Sequence, residues 1–530
     1  MISTEELTLS FGGTTLFQNV NVKFLKGNCY GLIGANGAGK STFLKILSGD
    51  LPPSSGTVTI DKKLRIAVLK QNHFAYDEFS VLDTVLMGHE SLYRVHVERN
   101  ELYSKAEMTD ADGIRSGELE IMYGEMGGYE AEAEAASRLK DLGIEEELHQ
   151  QKMKSLDAGQ KIRVLLAQAL FGNPDILLLD EPTNQLDYMS VLNLERFLLD
   201  FENTVIVVSH DRHFLNKVCT HVANLDYKTL KVHVGNYDFW EQSSKLALKQ
   251  KSDHDKKNSD KIKELKEFIA RFSANASKSK QATSRKKLID QLMPEDMPLS
   301  SRKSPFMGFK PGRECGREVL NVENVSHSIH GQQVLNNISF RLQKDDKVAL
   351  LGKNTLAKTT LLQILAGEIQ PDSGTVSWGP TVTKAYFPKD NSHFFEKDST
   401  LLDWLSYYST ETDMQIFRGL LGRMLFSGED VYKKVKVLSG GEKARAMFSK
   451  VMLSDANVML FDEPTDHLDL ESISALNEGL AKYSSVLMLT SHDFELLNTT
   501  TNRVIEITSQ GIIDEKTSFE EYINAQAAKN

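Results

Sequence analysis

Residues 34–42 read GANGAGKST. The stretch follows CYGLI, an apolar run of strand type, and leads into TFLKILSG, a helix by its apolar spacing. Strand, glycine-rich turn and helix in that order, with G-x-x-x-x-G-K-S-T at the junction, predict a P-loop in an α/β domain. Glycines let backbone N–H groups wrap phosphates without a Cβ in the way. On this reading Gly34, Ala35, Asn36, Gly37, Ala38 and Gly39 form the cradle. Lys40 reaches the terminal phosphates, and Ser41, with Thr42 behind it, faces Mg²⁺.

A second stretch, GKNTLAKTT at 352–360, repeats the first with Thr355 and Ala357 where glycines stood. The repeat runs through the chain. Gly34 pairs with Gly352 and Gln71 with Lys389, both 318 residues apart. Asp180 pairs with Asp462 and His210 with His492, both 282 apart. The chain is therefore two copies of one cassette, the first carrying 36 extra residues between Gln71 and Leu156. The expected division is cassette one at 1–244, a linker at 245–317 and cassette two at 318–530. The insertion, about 87–130, reads as a helical arm, with helices over HESLYRVHVERNELY and GGYEAEAEAASRLKDL.

The linker reads as a basic helical hairpin. Ile262, Leu265, Phe268, Ile269 and Phe272 fall on one stripe, SANASKSKQATS makes the turn, and KKLIDQL resumes a helix before three prolines. The chain's net charge is −11, which argues against a general nucleic-acid binder. Residues 245–289 nevertheless carry fourteen Lys/Arg against five Asp/Glu, a segment suited to an anionic partner. Of 530 residues, 40% are hydrophobic, and no apolar run is long enough to cross a bilayer. The N-terminus has no secretion signal, and three scattered cysteines suit a reducing cytoplasm.

ILLLDEPTNQLD is an apolar strand that delivers Asp180 and Glu181 to its tip. Asp180 is placed to hold Mg²⁺ and Glu181 to act as general base on the attacking water. IVVSHDRHFL ends a further strand in His210, aimed at the γ-phosphate. P-loop, glutamine, LSGGE, DEPT-x-x-LD and SHD together resemble the ATP-binding-cassette family over nearly the whole chain. DEPTN-x-LD, SHDRHFLN and RFSANASKSKQATSR resemble its ABC-F class, the bacterial YbiT-like subgroup above all. That resemblance implies two tandem P-loop α/β cassettes, each a mixed sheet with a helical subdomain, no membrane domain, and ATP with Mg²⁺ as ligands. It further implies a monomer whose cassettes close on each other, bound to the ribosome near the tRNA exit site, with arm and linker on rRNA and tRNA. A membrane importer's ATPase subunit and a DNA-binding relative are the alternatives.

In such a pair each ATP lies between one P-loop and the other cassette's signature. Site one would join Phe11, stacked on adenine, with the 34–42 loop, Gln71 and Asp180 near Mg²⁺, catalytic Glu181 and His210, and Ser439, Gly440, Gly441 and Glu442 of cassette two. Site two would join Gly352, Lys358, Thr359, Thr360, Asp462, Glu463 and His492 with Asp157, Gly159 and Gln160 of cassette one. The departures from the family pattern gather in site two: Ile329 for the aromatic, Thr355 and Ala357 for glycines, Lys389 for the glutamine, and Asp157 for the signature serine. Site one is therefore expected to hydrolyse ATP. Site two is expected to bind nucleotide weakly or to hold it without turnover.

Overall fold

The computed structural model describes residues 1–69, 75–105, 108–184, 186, 188–272, 284, 287–289, 292, 302–466, 468–508 and 511–527. Each cassette is built on a six-stranded sheet. In cassette one the order is Ile66–Val68, Ile176–Asp180, Thr204–Val208, Cys29–Ile33, His221–Asp226 and Thr229–Val234. The first five are parallel and the last is antiparallel. CYGLI and TVIVV are buried along their whole length, as expected for strands covered on both faces. A parallel sheet brings all its strand ends to one edge. Three adjacent strands therefore present the P-loop, the Asp180–Glu181 pair and His210 side by side.

Cassette two repeats this with Lys384–Phe387, Val458–Asp462, Val486–Thr490, Lys347–Leu351, Arg503–Thr508 and Gly511–Glu515. Beside each main sheet lies a three-stranded antiparallel one. Its central strand is Ile2–Phe11 in cassette one and Glu318–Ile329 in cassette two. Phe11 stands at the hairpin end, paired with Thr14, and is half exposed.

The arm has one helix more than the apolar spacing predicts. Glu90–Tyr103 and Gly128–Asp141 are helical as expected, and Asp110–Glu125 between them is helical too. Its three glycines, Gly113, Gly117 and Gly124, hide it from propensity, and tertiary contacts override them. Leu119 and Tyr123 are buried, Thr109 and Asp112 form a capping box, and Glu120 accepts from Arg99 (2.6 Å) and Tyr103 (2.8 Å) of the facing helix.

The helix that opens the linker runs from Tyr237 to Phe272. Lys256, Lys257, Lys261, Lys263 and Lys266 are exposed on it, while Ile262, Leu265 and Ile269 are half-buried. The expected turn at 273–283 lies outside the described residues. The chain returns as a strap over cassette two. Phe306 N–H donates to Arg423 O at 2.9 Å, Met307 and Phe309 are buried, and Gly312 N–H donates to Asp455 O at 2.7 Å.

The cassettes meet through side chains from both. Tyr188 stacks on Phe494 (5.7 Å between centroids), His213 stacks on Phe494 (4.1 Å), and Leu470 joins cassette one's core. Among the described residues, no helix is long and apolar enough to cross a membrane.

Candidate ATP sites

Site one starts where Cys29–Ile33 ends. The backbone of Gly37 (φ +79°) and Gly39 (φ +101°) is left-handed, a conformation that costs an L-residue about 1–2 kcal/mol. That geometry keeps the loop open until Lys40 starts the helix Lys40–Leu47. Lys40 is buried, and its Nζ donates to Gly34 O at 2.8 Å and Ala35 O at 3.3 Å. Burial lowers its pKa, and Glu181 opposes the shift. The Ser41 hydroxyl bonds to Asp180, whose own pKa is raised by burial. This hydroxyl and carboxylate pair fits Mg²⁺, which takes few protein oxygens and completes its shell with phosphate and water. Ala35 is buried, while Ser41 and Thr42 are half-buried behind the loop.

Glu181 is left-handed (φ +51°), and its N–H donates to Val208 O at 2.9 Å. Its Oε1 lies 3.3 Å from His210 Nε2, and its Oε2 accepts the His210 N–H at 3.2 Å. Burial, then Asp180, pushes the Glu181 carboxyl up to about 8. Burial, then Lys40, pushes His210 down to about 3. A proton-hungry carboxylate beside a neutral imidazole suits a general base oriented by its neighbour. Gln71 lies outside the described residues.

Cassette two reaches site one through the segment that follows its own Asp462–Glu463 pair. The charges of Asp469 and Glu471 act on Lys40, and Asp469 caps the helix Leu470–Ala481. The signature serine, Ser439, is exposed at the start of the helix Gly440–Leu453. Its N–H donates to Glu442 Oε2 at 2.8 Å, and its hydroxyl accepts from Glu442 N at 3.4 Å. Gly440 and Gly441 thus offer a helix N-terminus, a setting that favours an anion.

Site two has the same strand ends but a different loop. The helix begins at Thr355, three positions earlier than its counterpart, and runs to Ala366. Asn354 caps it, accepting the Ala357 N–H at 3.3 Å. The stretch read from sequence as a damaged loop is an extra helical turn, in which Asn354 takes up the Ala357 N–H with its side chain and the Lys358 N–H with its carbonyl (3.4 Å). The glycine kept in both copies explains the pattern. A Cβ on Gly34 would sit 2.6 Å from Leu225 O, and one on Gly352 would sit 2.8 Å from Ile507 O. Packing preserves that glycine, whereas the two lost ones served only the loop.

The rest of site two follows. Lys358 and Thr360 are buried, and Thr359 is half-buried between them. Asp462 accepts the Thr490 hydroxyl at 2.8 Å. Val208 stands at the matching place in site one, so Asp180 meets no such hydroxyl there. Glu463 (φ +46°) lies 3.2 Å from His492 Nε2. Burial raises its pKa against the charges of Lys358 and Lys389. Asp157 caps the helix Ala158–Leu170 and makes a capping box with Gln160 (2.8 and 3.1 Å), and Gly159 lies in its first turn.

Sequence reasoning gave no role to Thr490, to Asn224 or to Arg302. Thr490 is readable as LTSHD against VVSHD; the other two carry no motif.

Models of the ABC transporter family match residues 17–184 and 335–466, and a further ABC transporter model matches 223–309. The chain belongs to the ATP-binding-cassette family, as a tandem-cassette ATPase of the ABC-F type without a membrane domain. It is 56% identical to an uncharacterized ABC transporter ATP-binding protein, YkpA, of Bacillus subtilis, over 100% of this chain and 98% of the relative. It is 46% identical to the probable ATP-binding protein YbiT of Escherichia coli O157:H7, over 99% of each. Among solved structures, the archaeal ribosome recycling factor aABCE1, in complex with ribosomal stalk protein aP1, shares the fold at TM-score 0.63 and 18% identity, covering 99% of this chain and 92% of that one.

Proposed function

We propose that this chain is a ribosome-binding ATPase with one working site. ATP and Mg²⁺ at site one draw the cassettes together, with Phe11 on the base and Ser439, Gly440 and Gly441 on the γ-phosphate. The closed chain binds the ribosome near the tRNA exit site, through linker and arm. Hydrolysis with Glu181 as base, oriented by His210, releases it. Site two turns nothing over and serves as a fixed part of the clamp.

The observation that carries the asymmetry is the helix start at Thr355 against Lys40. The row of exposed lysines on Tyr237–Phe272 supports an anionic partner. The fold likeness to aABCE1, an archaeal ribosome recycling factor, agrees with an RNA-rich one.

Co-sedimentation with ribosomes in ATP tests both parts. Glu181→Gln should be trapped on ribosomes and lose hydrolysis by at least a hundredfold, the usual worth of a general base. Glu463→Gln should behave as wild type. Equal trapping of both variants refutes the asymmetry. Preference for duplex DNA over ribosomes at the same salt refutes the partner.

A further inference from the structure

Arg302 opens the continuous described stretch 302–466, four positions before the strap engages cassette two at Phe306. Its Nη1 donates to Glu471 Oε1 of cassette two at 2.9 Å. Its Nη2 donates to Asn224 Oδ1 of cassette one at 3.0 Å. Its guanidinium lies over the Trp240 ring, 4.6 Å from the centroid, at the root of the linker helix. The side chain is 11% exposed and that of Glu471 14%. Asn224 pairs with Ile33, the residue before Gly34, so this junction abuts the P-loop. We propose that Arg302 is a positioning residue for ATP in site one, joining the linker to both cassettes, and that Glu471 and the γ-phosphate compete for its guanidinium.

The chemistry follows from the charges gathered there. Lys40 and Arg302 face Glu181, Asp469 and Glu471, and the charge of Arg302 opposes protonation of both Lys40 and His210. Glu471 balances the Arg302 charge at 2.9 Å, and a multiply charged phosphate offers both cations a stronger partner than a single carboxylate. ATP brings such an anion at the γ position, where ADP, which ends at its β-phosphate, has none. Arginine suits the task because its fork bonds a carboxylate and a phosphate in the same geometry. Arg302 would then carry the difference between ATP and ADP directly into the linker. This goes beyond an asymmetric pair of sites but rests on site one being the working one.

The test is equilibrium binding of fluorescent ATP and ADP analogues with Mg²⁺ to the full chain, in a Glu181→Gln background that keeps ATP intact. Arg302→Ala should weaken ATP about tenfold, the loss of one charge-assisted hydrogen bond, and change ADP less than twofold. Arg302→Lys should restore part of the ATP affinity. Glu471→Gln should tighten ATP, because the competitor loses its charge. Equal losses for ATP and ADP on Arg302→Ala overturn the proposal. So does a Glu471→Gln variant that weakens ATP, since the pair would then only hold the cassettes together. ATP hydrolysis at a near wild-type rate by a Lys40→Ala variant, with Glu181 intact, instead overturns the site-one reading itself.

Discussion

Restoring both glycines in site two, as Thr355→Gly with Ala357→Gly, separates two causes of its altered loop. If two Cβ atoms alone block the cradle, the double variant should regain a P-loop. If the helix is the stable state, the same change should only weaken it. The structure favours the helix. Thr355–Ala366 is capped by Asn354, and Ala357 is 1% exposed, inside the core formed with Leu335 and Leu361. Removing the Ala357 methyl costs about 1 kcal/mol in helix propensity and about 0.8 kcal/mol in lost burial. Thr355→Gly adds a few tenths, because threonine is already a weak helix former.

The total, about 2 kcal/mol, should lower the midpoint of cassette two by about 4–8 °C in a thermal scan. Equilibrium dialysis with ATP and Mg²⁺ should still find about one equivalent bound at concentrations that fill site one, because the Asn354 cap and the Thr490 bond to Asp462 remain. A rise to two equivalents with an unchanged midpoint would refute this reasoning and leave the side chains alone as the cause.

In site one the opposite change has the opposite basis. Gly39→Ala puts an L-residue at φ +101° with its Cβ 3.3 Å from Leu16 Cδ1, so isothermal titration should find ATP binding lost and a thermal scan a destabilised cassette one. Half-buried Asp211 and buried Asp493 are pushed up to about 6 and about 7, by desolvation first; for Asp493 the charge of Asp211 comes next, and Glu195 and Glu495 add to Asp211. A raised carboxyl means that the folded chain binds protons the unfolded chain has lost. This contribution is therefore most favourable near pH 4 and fades as pH rises through 7. Asp493→Asn keeps the helix cap on the Leu496 N–H and removes the charge, so its thermal midpoint should exceed wild type at pH 8 and converge with it near pH 4.

Much of this was legible because parallel sheets write themselves into sequence. CYGLI, ILLLD and TVIVV are buried strands whose tips carry the chemistry, and nothing beyond local pattern is needed to place Lys40, Glu181 and His210 together. The same locality explains what stayed hidden. Asp110–Glu125 forms on contacts from Arg99 and Tyr103, which the segment does not contain. Replacement of glycines at 355 and 357 reads as damage, whereas helix formation there depends on Asn354 being free to cap and on the core that receives Ala357. Arg302 is one basic residue among many in the linker. Its partners lie 78 and 169 positions away, on different cassettes.

The survival of Glu463 and His492 beside an altered loop has a structural explanation. Glu463 is 2% exposed, and its N–H donates to Thr490 at both the carbonyl (3.2 Å) and the hydroxyl (2.9 Å). His492 stays neutral, held down to about 4 chiefly by burial, and bonds to the backbone of Leu186 in cassette one. Leu186 is five residues beyond Glu181 and fully buried. His492 therefore holds the segment that follows Glu181 of site one, and Glu463 holds His492 from its own cassette. Loss of a phosphate cradle leaves that brace intact, because it uses the strand ends rather than the loop. On the proposal of one working site, this contact gives both residues a structural role that requires no chemistry at site two.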